Sequence, residues 1–258
     1  MGYLFDDLKN RFDFFLRNKI TFSRKNYREK ACDINEFELT DAQNELYDYL
    51  KKKYDLSLFN GLNSRNFFEN LYFLSVFDKC FEQKNKGEIS VLDIGSKNWS
   101  YVRSEYLFFK TFSENLDLKG IELDAYRLCS NFFNRYEIAK FYKKDLKNTE
   151  YIAGDFLKHS YKYDYIIWIL PFITEYPLIK WGLPLEYFKP EEMLLHAYDL
   201  LKPDGEILII NQGEKEAEIQ MRFFEQTGIP VKFTPEKIDD IFGLFKNDRY
   251  CSMVVKQG

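Results

Sequence analysis

Two kinds of apolar periodicity divide the chain. Up to about residue 86, apolar positions recur at three- and four-residue intervals. Leu4, Leu8, Phe12, Phe15 and Leu16 form one such series, and the spacing predicts a helix. Thr40 followed by Gln43 reads as a capping box, with Ala42, Leu46, Tyr49 and Leu50 continuing a helical face behind it. A third helix is predicted from about Ser64 to Phe81, with Phe67, Leu71, Leu74 and Phe81 on one side and Lys84-Asn85-Lys86-Gly87 as its stop.

From Ile89 the pattern changes to short apolar runs alternating with amphipathic stretches, which marks a parallel sheet with helical crossovers. Strands are predicted at Ile89–Ile94, Lys119–Leu123, Tyr151–Ala153, Tyr165–Leu170 and Glu206–Ile210, with helices near 101–112, 125–142, 190–201 and 214–227. Ile166-Ile167-Trp168-Ile169-Leu170 is apolar on both faces, as a central parallel strand requires. Pro230–Thr234 and Tyr250–Val255 read as two further strands without a long helix between them, so an antiparallel strand should close the sheet. The expected fold class is therefore α/β. It comprises a mostly parallel seven-stranded sheet with an antiparallel C-terminal strand over 87–258, and a helical extension over 1–86.

Composition narrows the function classes. The chain has 258 residues, 45% of them hydrophobic, which suits a globular fold. Its 19% aromatic content reads as compositional bias. With 37 basic and 41 acidic residues the net charge is −4, a balance that does not advertise nucleic-acid binding. Arg17, Lys19, Arg24, Lys25, Arg28 and Lys30 form a local basic stretch, read as a solvated face in preference to a nucleic-acid contact. Cys32, Cys80, Cys129 and Cys251 lie far apart, so no metal site is expected, and a cytoplasmic location suits them. The first residues carry early acidic charge rather than a secretory signal, and Asp6 stands where myristoylation wants Ser or Thr. No run approaches a membrane span, so no membrane partner is expected; oligomeric state is not readable.

The chemistry concentrates at the ends of the first two strands. The first runs into Leu92-Asp93-Ile94-Gly95-Ser96-Lys97-Asn98-Trp99, where a glycine lets the backbone turn sharply toward a ligand. The second ends in Gly120-Ile121-Glu122-Leu123-Asp124, and an acid there can accept hydrogen bonds from paired ribose hydroxyls. Ala153-Gly154-Asp155-Phe156, Tyr163-Asp164-Tyr165-Ile166-Ile167 and Leu201-Lys202-Pro203-Asp204-Gly205 follow in order. Together these five pieces resemble the Rossmann-like class I S-adenosylmethionine-dependent methyltransferases over about residues 89–213.

That resemblance implies S-adenosylmethionine as cofactor and S-adenosylhomocysteine as product. It puts Gly95, Ser96, Lys97, Asn98 and Trp99 beside the methionine part, with Asp93 close by. Glu122 would hold the ribose, with Leu123 beside it. Asp155 would take the adenine amino group with Phe156 against the ring, and Leu170 and Pro171 would border the cofactor. The glycine loop departs from the family pattern, because Lys97 and Trp99 stand where small residues are common. The missing glycines also argue against a nicotinamide cofactor, whose pyrophosphate needs a closer approach. For Glu122 the alternative is a solvated strand end, and for Asp155 an ordinary turn.

The fourth strand leads into Leu170-Pro171-Phe172-Ile173-Thr174, not the Asn/Asp-Pro-Pro-Tyr of many amino-group methylators. An insertion over Glu175–Lys189 follows and is expected to wall a substrate site. Substrate-side candidates are Thr174, Glu175, Asn211 and Gln212, with surface charge or helix capping as the plainer readings. His159 and His196 receive no catalytic role. A small-molecule acceptor is favoured; the alternatives are an RNA or protein acceptor, or a non-catalytic binding or scaffold protein.

Overall fold

The computed structural model describes residues 3–21, 24, 26–82 and 87–257. Three helices come first: α1 (Leu4–Lys19), α2 (Asp41–Lys53) and α3 (Ser64–Cys80). Thr40 and Gln43 form the reciprocal capping box at the start of α2. The stop expected at Lys84–Lys86 lies outside the described residues.

The α/β part then runs β1 (Glu88–Ile94), α4 (Val102–Lys110), β2 (Asn115–Glu122), α5 (Arg135–Tyr142), β3 (Thr149–Ala153), β4 (Tyr163–Ile169), α6 (Glu175–Lys180), α7 (Pro190–Leu200), β5 (Leu201–Gln212), α8 (Gly213–Thr227), β6 (Val231–Ile238) and β7 (Arg249–Val255). The seven strands form one sheet in the order β3-β2-β1-β4-β5-β7-β6. All neighbours pair in parallel except β7, which runs antiparallel to both β5 and β6. Strand order reverses between β1 and β4, and the crevice beyond their carboxyl ends is where open α/β sheets bind ligands.

Burial follows the pleat. Val91, Tyr165, Ile167, Leu208 and Ile210 face the larger apolar core, together with Phe73, Phe77 and Phe81 of the α3 region and Phe108, Phe109 and Phe112 of the α4 region. Leu92, Ile166, Ile207 and Ile209 face a second core built with Leu194, Ala197, Leu200 and Phe224 of α7 and α8. The aromatic richness is largely spent in the first core, where Phe77, Phe81, Phe108, Phe109, Phe112 and Tyr165 contact one another edge to face or tilted. That core crosses residue 86, since Leu50, Phe59, Leu62 and Leu71 belong to it as fully as the strands do.

One helix starts well after the sequence reading places it. The helix expected over 125–142 begins only at Arg135. Asn134 and Glu137 make a reciprocal capping box there, and Phe132 holds a positive φ of 62° that no helix tolerates. Helix α1 is present where its spacing predicts it, with its apolar series turned outward. Leu4, Phe5, Leu8, Phe12 and Phe15 point to solvent, while Asp7 and Asn10 are buried against the protein.

Candidate functional site

The loop after β1 sets the geometry of the edge. Gly95 turns with φ 70°, and its N–H donates to Ile121 O at 2.9 Å. Lys97 and Trp99 follow with φ of 53° and 52°, the left-handed region that glycine usually occupies. Trp99 does not enter the crevice. It is fully buried beneath the loop, with its ring 5.9 Å from Tyr151 and its indole N–H donating to Glu105 Oε2 at 2.8 Å. Gly120 makes that position available, because a Cβ there would stand 2.8 Å from the Trp99 ring. The Tyr151 hydroxyl ties the loop down by donating to Lys97 O.

Glu122 closes β2 in a web of donors. Its Oε2 accepts the Lys97 N–H at 2.9 Å, and its Oε1 accepts the Asp124 N–H at 2.8 Å and Arg135 Nη1 at 3.2 Å. Two lone pairs per oxygen leave Oε2 with capacity for one more donor. Asp155 opens the turn after β3, with Oδ1 accepting the Leu157 N–H at 3.1 Å. Its other oxygen keeps accepting capacity, with only Lys158 Nζ at 4.0 Å.

These groups border a cavity of about 730 Å³, within the range of small-molecule and cofactor sites. Gly95, Lys97, Glu122, Leu123, Asp155, Phe156, Leu170 and Pro171 form part of its wall. Asp93, Ser96, Asn98 and Trp99 do not; Asp93 is fully buried behind the wall and accepts the Tyr101 hydroxyl at 3.0 Å. Burial pushes the Asp93 carboxyl well above the usual carboxylate range. Glu105 shifts the same way, through burial first and the neighbouring Asp93 second.

Of the substrate-side candidates, Gln212 lines the cavity while Thr174, Glu175 and Asn211 do not. Asn211 is fully buried within the sheet layer, and Glu175 begins α6 facing solvent. The insertion does wall the cavity, through Pro177, Leu178, Lys180, Trp181, Leu183 and Tyr187. His196 contacts His159 O, and His159 contacts the Tyr163 hydroxyl, all away from the crevice wall.

Several participants carried no signal of their own in the sequence. The Trp181 ring draws in three cations: Arg135 at 4.9 Å, Lys97 at 5.2 Å and Arg127 at 5.8 Å from its centroid. Such contacts strengthen when desolvated, and burial pushes the Lys97 ammonium below its ordinary range. Glu216, in the first turn of α8, also lines the cavity; it accepts the Gln212 N–H at 3.0 Å, and burial raises its carboxyl. Arg17 of α1 pairs with the buried Asp124 at 2.9 Å and donates to Gly182 O at 3.0 Å.

The donor and acceptor set fits S-adenosylmethionine. An acid with spare accepting capacity ends β2, a second acid lines the same cavity as Leu123, Phe156 and Leu157, and a glycine leaves open space at the loop. Among the described residues no cluster of ligating side chains suits a metal.

No family model matches the chain, and no curated protein matches it in sequence. Its structure does have neighbours. A SAM-dependent methyltransferase from Aquifex aeolicus aligns with TM-score 0.50 and 19% identity, over 81% of this chain and 98% of that one. A chain from the complex of the Haloferax volcanii Trm112 methyltransferase activator with a methyltransferase aligns with TM-score 0.52 and 12% identity, over 75% of this chain and 94% of that one. TrmN from Thermus thermophilus aligns with TM-score 0.49 and 12% identity over 72% of this chain, which spans about half (48%) of TrmN. The chain has the class I, Rossmann-like methyltransferase fold.

Proposed function

We propose that the protein is an S-adenosylmethionine-dependent methyltransferase acting on a small molecule. The observation that carries this reading is the Glu122 carboxylate in the cavity wall, fixed by two backbone N–H groups and Arg135, with one accepting site left for a ribose hydroxyl. When bound, S-adenosylmethionine supplies a methyl group already activated by its sulfonium charge, so the chain's task is to align an acceptor and exclude water. Glu122 holds the ribose end, Asp155 receives the adenine amino group, and Gly95 and Lys97 of the loop meet the amino-acid end. Phe172, Leu178, Trp181, Leu183 and Tyr187 give the remaining cavity an apolar wall suited to a compact acceptor. Glu216 is the carboxylate placed to take a proton where the acceptor must lose one.

The test is thermal stabilisation and calorimetric binding with S-adenosylhomocysteine, S-adenosylmethionine and NAD in parallel. Stabilisation by the first two alone is expected, and Glu122→Ala should weaken their binding by roughly 1–3 kcal/mol. Folded protein that binds neither sulfur ligand would leave a non-catalytic scaffold as the better reading.

A further inference from the structure

Helix α1 is amphipathic the wrong way round for a helix packed on a soluble domain. Its polar residues hold it to the protein. Asp7 Oδ1 accepts the Leu185 N–H at 2.6 Å, Asn10 Nδ2 donates to Ile179 O at 2.9 Å and Leu183 O at 3.1 Å, and Arg17 pairs with Asp124. Leu4, Phe5, Leu8, Phe12 and Phe15 are instead 57–80% exposed. At about 100° per residue these five and Leu16 share one arc of about 120°. Roughly 600 Å² of apolar surface is thereby gathered on one helix, at the upper end of what a monomer leaves exposed.

The charge around this face selects its occupant. Lys9 and Arg11 border the arc on its two sides, paired one turn away with Asp13 at 2.7 Å and Asp7 at 2.8 Å, and Lys19 closes its C-terminal end. The first 30 residues hold eight Lys and Arg against four Asp and Glu, in a chain whose net charge is −4. Beyond α1, the exposed Arg24 sits over the exposed ring of Phe132 at 5.6 Å. A second copy seated on α1 would bring two sets of cations together. An anionic lipid surface receives the rings and leucines at the acyl boundary and the ammonium and guanidinium groups at the phosphates. No described helix is long and apolar enough to cross a membrane, but lying on one requires only a one-sided helix.

We infer that the outward face of α1 docks the protein on anionic lipid membranes. The test is co-sedimentation of the full chain with phosphatidylcholine vesicles, with and without phosphatidylglycerol, alongside light scattering without lipid. Binding is expected to the phosphatidylglycerol vesicles, reduced in ~1 M salt where the screening length shrinks to about 3 Å. Phe5→Asp with Phe12→Asp should lower that binding at least about tenfold with no change in melting temperature. Lys9→Gln with Lys19→Gln, which alters only surface groups, should weaken it without touching the apolar face. Absence of binding to anionic vesicles overturns the proposal, as does a double Asp variant that folds and binds like the native chain. A dimer broken by the same variant, without vesicle binding, assigns the face to a second copy.

Discussion

Lys97 and Trp99 occupy left-handed backbone at a cost of roughly 1–2 kcal/mol each. Trp99 more than offsets this, since losing a buried Trp side chain costs about 3–5 kcal/mol. The loop's shape was therefore only half legible in the sequence. Gly95 announced the turn, but residue type is a proxy for dihedral angle, and the proxy failed at the next two left-handed positions. The anchor is the buried indole bond to Glu105. A carboxyl whose pKa rises on folding favours the folded state while it keeps its proton. Stability should accordingly decline as pH climbs from the ordinary carboxylate range toward the raised values of Glu105 and Asp93. Glu105→Gln retains an acceptor for the indole and removes the titration. Its stability relative to the native chain should be greater at pH 9 than at pH 5. Urea unfolding at the two pH values measures this, and an equal difference at both would refute it.

At the scale of elements, α1 shows what periodicity conveys and what it omits. The three- and four-residue spacing found the helix but not which face it buries. That choice depends on groups about 170 residues away, the carbonyls of Ile179 and Leu183 and the N–H of Leu185. The late start of α5 is a different failure. Asn134 and Glu137 spell a capping box in the sequence, yet the apolar run before them masked it. Because Asn10 satisfies two carbonyls at the end of α6, Asn10→Ala should loosen the cavity wall locally. Hydrogen exchange over 178–188 is expected to accelerate by an amount matching about 1–3 kcal/mol, while β1 and β4 stay protected. Uniform acceleration across the sheet would show that α1 supports the whole fold instead.

For the molecule as a whole, alternation of short apolar runs with amphipathic stretches sufficed to anticipate a seven-stranded, mostly parallel sheet and its antiparallel strand. The rest of the cavity's wall was much less legible, since Trp181, with Arg135 over its ring, and Glu216 gain meaning only when distant segments meet at the sheet edge. The change of periodicity near residue 86 is a change of element type, and the larger core runs through it. Phe77→Ala in α3 should therefore cost about 3–5 kcal/mol and lower the melting of the entire chain in one transition. Calorimetry reads this directly, and a second, unshifted transition from the α/β part would contradict it.

The 95–99 loop bears on the entropy of binding. A glycine-rich loop samples many backbone states when unliganded, and a ligand that orders it must repay that freedom. Side-chain residues at 97 and 99 restrict those states, and the Trp99 and Tyr151 anchors hold the one observed. The loop's shape is thus set by contacts within the chain, and a ligand that meets it should order little of it.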